Sequence, residues 1–344
     1  EMGPRKVVVR RAAFELKPNS IVNLGIGMPE GVSRVANEER ILEYATLTTE
    51  SGAIGGLPMG GLDFGAGINI DALIEENQQF DFYDGGGLDI AFLGMAQTDA
   101  EGNVNVSKFG PRFTGPGGFI DISQNAKKVC FVGLFTAGGL KITTGDGTVR
   151  IDHEGRERKF VRQVEQKTFS GKHAAEMKQS VLYITERCVF SLCQDGLELI
   201  EIAPGIDLDS QILALMDFKP IMRRPPKLMD ERIFRFAPMG IKDDLLTIPM
   251  EDRFAYHAAD NIFFINLENY YIKTSEEIQR MREIVGGILE PLGKKVHTIA
   301  NYDNFNVSPH LLDEYVEMVK YAAGFYETAT RYTTSAFLRM KLGD

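Results

Sequence analysis

The run Leu47-Thr48-Thr49-Glu50-Ser51-Gly52-Ala53-Ile54-Gly55-Gly56-Leu57-Pro58 sets an apolar, β-branched approach before a glutamate and a glycine-rich exit after it. That order predicts a strand ending in a sharp turn with a carboxylate at its tip. In open α/β sheets, ligands gather outside the carboxyl ends of strands. A carboxylate held there, close to backbone amides, can serve as a nucleophile. Taken alone, the motif describes a helix N-cap or a solvated turn acid more readily, so the decision falls to its surroundings.

Upstream, Ile21 to Leu24 reads as a short strand running into Gly25-Ile26-Gly27-Met28-Pro29, with a helix from about Glu30. Strand, glycine-rich turn and helix is the geometry that aims backbone amides at an anion. It is not a dinucleotide fingerprint, because Glu30 occupies the third glycine slot. Another helical pattern, with Val8, Ala12 and Leu16 on one face, covers residues 4–16 and stops at Lys17-Pro18. Downstream lie a loop with glycines at 60, 61, 65 and 67, a strand from Ile90 to Gly94, and a hairpin around Glu101-Gly102-Asn103. Gly115-Pro116-Gly117-Gly118-Phe119 then opens a helix carrying Asp121. Further strands are expected at 128–133, 140–144, 181–185, 188–193 and 198–202, and a helix at 207–216. This alternation predicts an open, layered α/β/α domain over residues 1–222.

Proline and arginine crowd between Lys219 and Pro226, and periodicity stops there. The pattern restarts as strand 261–267, helix 275–289 with Thr274 or Ser275 as N-cap, strand 295–300 and helix 308–325. Residues 223–344 are therefore expected to form a small C-terminal α/β unit. Tyr270-Tyr271 and the aromatics from Tyr326 to Tyr332 read as packing groups.

At 344 residues, two domains are expected. Hydrophobic residues are 44% and charged residues 25%, an ordinary globular balance. A net charge of −10 without a basic stripe argues against nucleic acid, and no apolar run is long enough to span a membrane. Cys130, Cys188 and Cys193 lie in apolar runs and read as buried free thiols of a reducing, cytoplasmic compartment. The five histidines are scattered, so no metal site is expected. A nucleophile-elbow serine and a phosphate-binding Gly-Lys-Ser/Thr loop are both missing. What remains is a strand-end glutamate among glycine loops at 25–29, 55–67 and 115–118. Glycine there lets N–H groups approach a reacting carbonyl or a phosphate, and the combination points to acyl chemistry.

Residues 5 to about 222 resemble the β half of the family I coenzyme A transferases, which include acetate or propionate CoA-transferases and succinyl-CoA:3-ketoacid CoA-transferases. The resemblance rests on Arg10-Arg11-Ala12-Ala13, Asn23-Leu24-Gly25-Ile26-Gly27-Met28-Pro29, Glu50-Ser51-Gly52, Leu93-Gly94-Met95-Ala96-Gln97 and Gly115-Pro116-Gly117-Gly118-Phe119-Ile120-Asp121. It continues through Ala126-Lys127-Lys128-Val129, Ile184-Thr185-Glu186-Arg187 and Leu199-Ile200-Glu201-Ile202-Ala203-Pro204-Gly205. It implies that Glu50 is the nucleophile and forms a γ-glutamyl-CoA thioester in ping-pong exchange between an acyl-CoA and a short-chain carboxylic acid. It also implies oxyanion contacts from the amides of Gly117 and Gly118, and a coenzyme A or acyl pocket involving Gly25, Gly27, Met28, Gly52 and Gly115. Coenzyme A is then a substrate, with no tightly bound cofactor. Ser51 stands where mammalian members have asparagine, as in the bacterial acetate/propionate branch. The family's α half has no counterpart in the sequence, and the chain opens on Glu1, as a cut from a longer polypeptide would. A separate or preceding α-type half, a homo-oligomer and a partner-seeking apolar face are therefore expected. Two other readings fit the residues: an acyl-CoA hydrolase and a non-catalytic ligand sensor on a related scaffold.

Overall fold

The computed structural model describes residues 2–303 and 305–332. The chain divides into two compact units, Glu1–Leu246 and Thr247–Asp344. The expected end of the second block, 333–344, lies outside the described residues.

The first unit is built on a ten-stranded mixed sheet. Its strands are β1 (Ile21–Leu24), β2 (Thr46–Thr48), β3 (Ala53–Ile54), β4 (Ala72–Leu73), β5 (Ile90–Gly94), β6 (Lys128–Val132), β7 (Ser180–Ile184), β8 (Cys188–Cys193), β9 (Gly196–Ile202) and β10 (Lys227–Leu228). Their spatial order is β10-β9-β8-β7-β6-β5-β1-β2-β3-β4. The central five, β2-β1-β5-β6-β7, are parallel, in registers such as Val22↔Leu47, Asn23↔Ala91 and Cys130↔Leu182. Parallel strands are buried on both faces and read as continuous apolar runs, which is why Ile-Ala-Phe-Leu and Val-Cys-Phe-Val are legible in the sequence. Phe92 and Cys130 pack in one apolar cluster with helices α1 (Pro4–Ala13) and α2 (Gly31–Glu38). The neighbouring side chains Ala91, Leu93 and Phe131 turn to a second cluster. That cluster also takes in Tyr83, which follows helix α3 (Glu76–Phe82), and Phe119 of helix α4 (Phe119–Asn125). The expected α/β/α layering is the observed one.

The proline-rich stretch is no linker. Ile221 donates its N–H to Leu197 O and accepts from Leu199 N–H at 2.8 and 2.9 Å, and Lys227–Leu228 adds to β9 as an edge strand. Proline is tolerated at such edges because one side of the backbone needs no partner. Beyond it, Met229, Ile233, Phe234, Met239 and Ile241 join the first apolar cluster. Buried Glu39 accepts the N–H groups of Met239 and Gly240 at 2.7 and 2.8 Å, and Arg10 donates to the carbonyls of Arg235 and Ala237. Residues 223–246, expected to open the second unit, therefore complete the first.

The expected helix 207–216 is broken into Leu208–Gln211 and a 3-10 turn, Leu213–Leu215. Fully buried Arg187 takes the Gln211 carbonyl at 2.9 Å, and Ile212 turns into the core. Of the three cysteines, all free, Cys130 and Cys188 are buried but Cys193 is partly exposed.

The second unit is a four-stranded sheet, β11 (Phe254–His257), β12 (Ile262–Asn266), β13 (Val296–Asn301) and β14 (Tyr326–Tyr332), in that order, with β12, β13 and β14 parallel. Helices α5 (Ser275–Leu289), capped by Thr274 and Glu277, and α6 (Leu312–Ala323) share its one described core. The tyrosine-rich segment 326–332, read as packing groups, is a strand. Among the described residues no helix is long and apolar enough to cross a membrane.

Candidate active site

Glu50 lies two residues past the end of β2. Gly52 N–H donates to Thr49 O at 3.1 Å, and Thr49 N–H donates to Ala53 O at 3.0 Å. The turn so closed reverses the chain into antiparallel β3. Gly52 has φ +101°, and a Cβ there would strike the Ile74 carbonyl oxygen, so both conformation and close approach require glycine. Ser51 Oγ donates to Gly65 O at 2.8 Å and ties the next glycine loop to the turn. The outcome is a half-buried carboxylate at the carboxyl end of a central parallel strand.

The carboxylate borders a cavity of about 380 Å³. Gly25, Glu50, Gly115, Gly117 and Gly118 all line it, drawn from three separate stretches of sequence. Gly25 N–H bonds to Phe92 O at 2.9 Å, which holds the first glycine turn over the end of β5. Gly118 precedes α4 with its amide hydrogen-bonded to the Glu50 carboxylate. A Cβ on Gly118 would fall 2.5 Å from Glu50 Oε2 and would also meet the Phe80 ring. Here φ is −75°, so close approach alone demands glycine. Gly117, at φ +55°, is demanded by conformation instead. Gly27 and Met28 line an adjacent, more open hollow with Arg5, Lys6 and Arg34, and Ile26 borders both spaces. Gly52 lines neither, and its place is in the turn itself.

Burial pushes the Glu50 carboxyl above its ordinary range, and the charge of Glu76 on α3 pushes it further. The Gly118 amide opposes both. Glu50 is thus less solvated than a surface carboxylate, with the Gly118 N–H favouring its charged form. Polar residues missed by the sequence reading complete the surroundings. Asn23 lines the cavity at 1% exposure, and Tyr83 lies behind it. An asparagine inside the apolar strand Ile-Val-Asn-Leu was the available signal for the first. Glu76 and Tyr83 gave none, because only the fold brings α3 against Glu50. Among the described residues no group of three or more His, Cys, Asp or Glu side chains is placed to hold a metal ion.

Fold and site together define an open α/β protein with a ligand pocket at the carboxyl ends of parallel strands, organised around one glutamate. No protein-family model matches the chain. It is similar to the acetate CoA-transferase YdiF of Escherichia coli O157:H7, at 49% identity over 239 residues, covering 70% of this chain and 45% of that protein. A crystal structure of YdiF as a thioester complex with CoA superposes with a TM-score of 0.66 at 48% identity, over 70% of this chain and 46% of that one. The caffeate CoA-transferase of Acetobacterium woodii is 49% identical over 235 residues, 67% of this chain and 45% of that protein. The acetate CoA-transferase subunit beta of Escherichia coli K12 is 28% identical over 218 residues, 60% of this chain and 89% of the subunit. By these likenesses the chain is family I coenzyme A transferase-like, resembling the β subunit. It spans less than half the length of YdiF and of the caffeate enzyme.

Proposed function

We propose that this chain carries the nucleophile of a coenzyme A transferase that moves CoA between an acyl-CoA and a short-chain carboxylic acid. The observation that carries the reading is Glu50, half-buried at a strand end, amide-bound by Gly118 and facing a glycine-lined cavity. In the forward half-reaction, a Glu50 oxygen attacks the thioester carbonyl, the C–S bond breaks, and CoA leaves as thiolate. The resulting acyl-glutamyl anhydride is attacked by that thiolate at the glutamyl carbonyl, giving a γ-glutamyl-CoA thioester and the free acid. A second carboxylate reverses both steps. Each step exchanges one acyl bond for another without a change in oxidation state, so no redox group is needed. A carboxylate suits the role because it is nucleophile and leaving group of matched basicity in an acid-for-acid exchange. The amides of Gly117 and Gly118 stabilise the tetrahedral oxyanions, and Gly25, Gly115, Gly27 and Met28 lie along the path of the CoA arm.

The reaction also calls for an α-type half. An Escherichia coli relative of which this chain covers 89% is called a beta subunit. Exposed apolar side chains lie on or beside the site's glycine loops in the sequence, namely Ile26, Leu62, Ile68, Phe109, Phe113 and Ile120. An exposed apolar group of this kind marks an interaction surface, and the α-type half is the partner assigned to it. The assembled enzyme is placed in the cytoplasm as a homo-oligomer of such pairs.

The test is intact-mass spectrometry of the assembled enzyme after mixing with acetyl-CoA. A mass gain of one CoA less water, mapped to Glu50 and removed by hydroxylamine or borohydride, is the expected result. CoA binding without any adduct would replace the transferase reading with the sensor. Turnover without an acceptor acid would replace it with the hydrolase.

A further inference from the structure

The polar groups behind Glu50 form a hydrogen-bonded chain, with buried Gln79 as a further neighbour of its Tyr83 member. Thr48 Oγ1 lies 2.9 Å from Val22 O, which can only accept, so the threonine hydrogen points there. Tyr83 Oη lies 2.7 Å from Thr48 Oγ1, whose hydrogen is already used, so the tyrosine donates to the threonine. Burial holds the Tyr83 phenol above its ordinary range, and the charge of Glu50 adds to this, which keeps that hydrogen in place. The Tyr83 oxygen is then an acceptor, and the Asn23 amide atom 3.2 Å away is the donor Nδ2. An asparagine's orientation is normally an assignment. Here the bond of Nδ2 to Tyr83 sets it, and Oδ1 is left with no partner on a residue that lines the Glu50 cavity. A buried acceptor without a donor is destabilising, and a ligand that reached it from the cavity would supply the donor.

We propose that Asn23 Oδ1 is the receptor for an N–H group of the substrate, the pantetheine amide nearest the thioester sulfur. The inference rests on the transferase reading above. The reacting groups offer no other donor: thioester carbonyl, sulfur, thiolate, acid carboxylate and the ionised Glu50 all accept. The pantetheine arm alone carries N–H close to the reacting sulfur. Asn23 thereby fixes the distance from that amide to Glu50, and so the place of the thioester carbon. Thr48 shares the register of Asn23 across β1 and β2 and lies two residues before Glu50. The group that measures the substrate and the group that attacks it therefore stand on adjacent strands. Tyr83 is a positioning residue that keeps the acceptor end of Asn23 toward the cavity.

The experiment compares three acetyl thioesters on the assembled enzyme: acetyl-CoA, S-acetyl-N-acetylcysteamine, which keeps the amide, and an S-acetyl alkanethiol of equal length without it. The readout is the rate of covalent modification of Glu50. Asn23→Ala should slow the two amide-bearing esters by on the order of tenfold to a hundredfold more than it slows the alkyl ester. Tyr83→Phe frees the amide to rotate and should reproduce the same selective loss in weaker form, which a merely structural tyrosine would not. It serves as the second probe should Asn23→Ala fold poorly. Equal slowing of all three esters would overturn the proposal, as would a pH-profile shift common to all three, which would place Asn23 on the proton of Glu50. Wild-type enzyme that forms no adduct with any ester would overturn the transferase reading and this inference with it. An adduct in the wild type without substrate-selective loss in the variants overturns the inference alone.

Discussion

At Glu50 two opposing demands meet. Burial and Glu76 favour the neutral acid, and the Gly118 amide favours the anion, with the net shift upward. A carboxyl whose folded-state pKa lies above its unfolded value binds more protons folded than unfolded. Stability then falls as pH rises from the unfolded value, about 4.3, through the folded one. Glu50→Gln should accordingly raise the thermal midpoint at pH 7, with the gain vanishing below about pH 4. The same variant should lose CoA transfer by several powers of ten. A melting series across pH, run beside the kinetics, checks both, and a midpoint unchanged at pH 7 would remove the burial argument. Gly118→Ala is a sharper probe of approach than of chemistry, since alanine keeps the N–H. Its methyl group must displace Glu50 or Phe80, and a shift of about 1 Å at a nucleophile can lower turnover about a hundredfold. Near-normal turnover would show that the glycine is not there for closeness. Glu50 and the glycines of the 115–118 loop were legible because their spacing is local. Glu76 and Tyr83 were not, because their relation to the site exists only once α3 folds back over the sheet.

At the scale of elements, strands were read more reliably than boundaries. Buried parallel strands such as β5 and β6 announce themselves as unbroken apolar runs. The segment after Pro226 misled because proline at a sheet edge and proline in a linker look alike in sequence. What settles it is Glu39, whose two oxygens serve the amides of Met239 and Gly240. Removing that acceptor leaves buried N–H groups unpaired, at about 1–3 kcal/mol each. Glu39→Ala should therefore lower the urea midpoint and open residues 229–246 to protease first. If cleavage there is no faster than in the parent, the clamp is not what holds the segment. The broken helix at Ile212 carries the same lesson: Arg187, wholly buried, also pairs with Glu186 at 2.6 Å and Glu154 at 2.8 Å. The carbonyl it takes from Gln211 is one that helix would otherwise use. Long-range ion pairs leave no periodic trace.

For the molecule as a whole, the two units have separate apolar cores. Cleavage engineered between Leu246 and Thr247 should yield two pieces that each melt cooperatively, and a piece that fails to fold alone would show the division to be only geometric. Transferase activity should need an α-type half, and full acetate-dependent transfer by this chain in isolation would refute that.

The strand order of the large sheet has a consequence for how the chain is made. β2 pairs with β1, β3 with β2 and β4 with β3. β5 then takes the free side of β1, and β6, β7, β8, β9 and β10 follow outward one by one. No strand ever has to wedge between two that are already paired. A chain emerging from the ribosome can lay down each new strand on a waiting edge in the order of its synthesis. That edge is also a template for the wrong neighbour until the next strand arrives. Nascent chains stalled before β5 should be the most dependent on chaperones, since the second side of the parallel strand β1 stays open from Leu24 until Ile90, longer than β6 waits for β7.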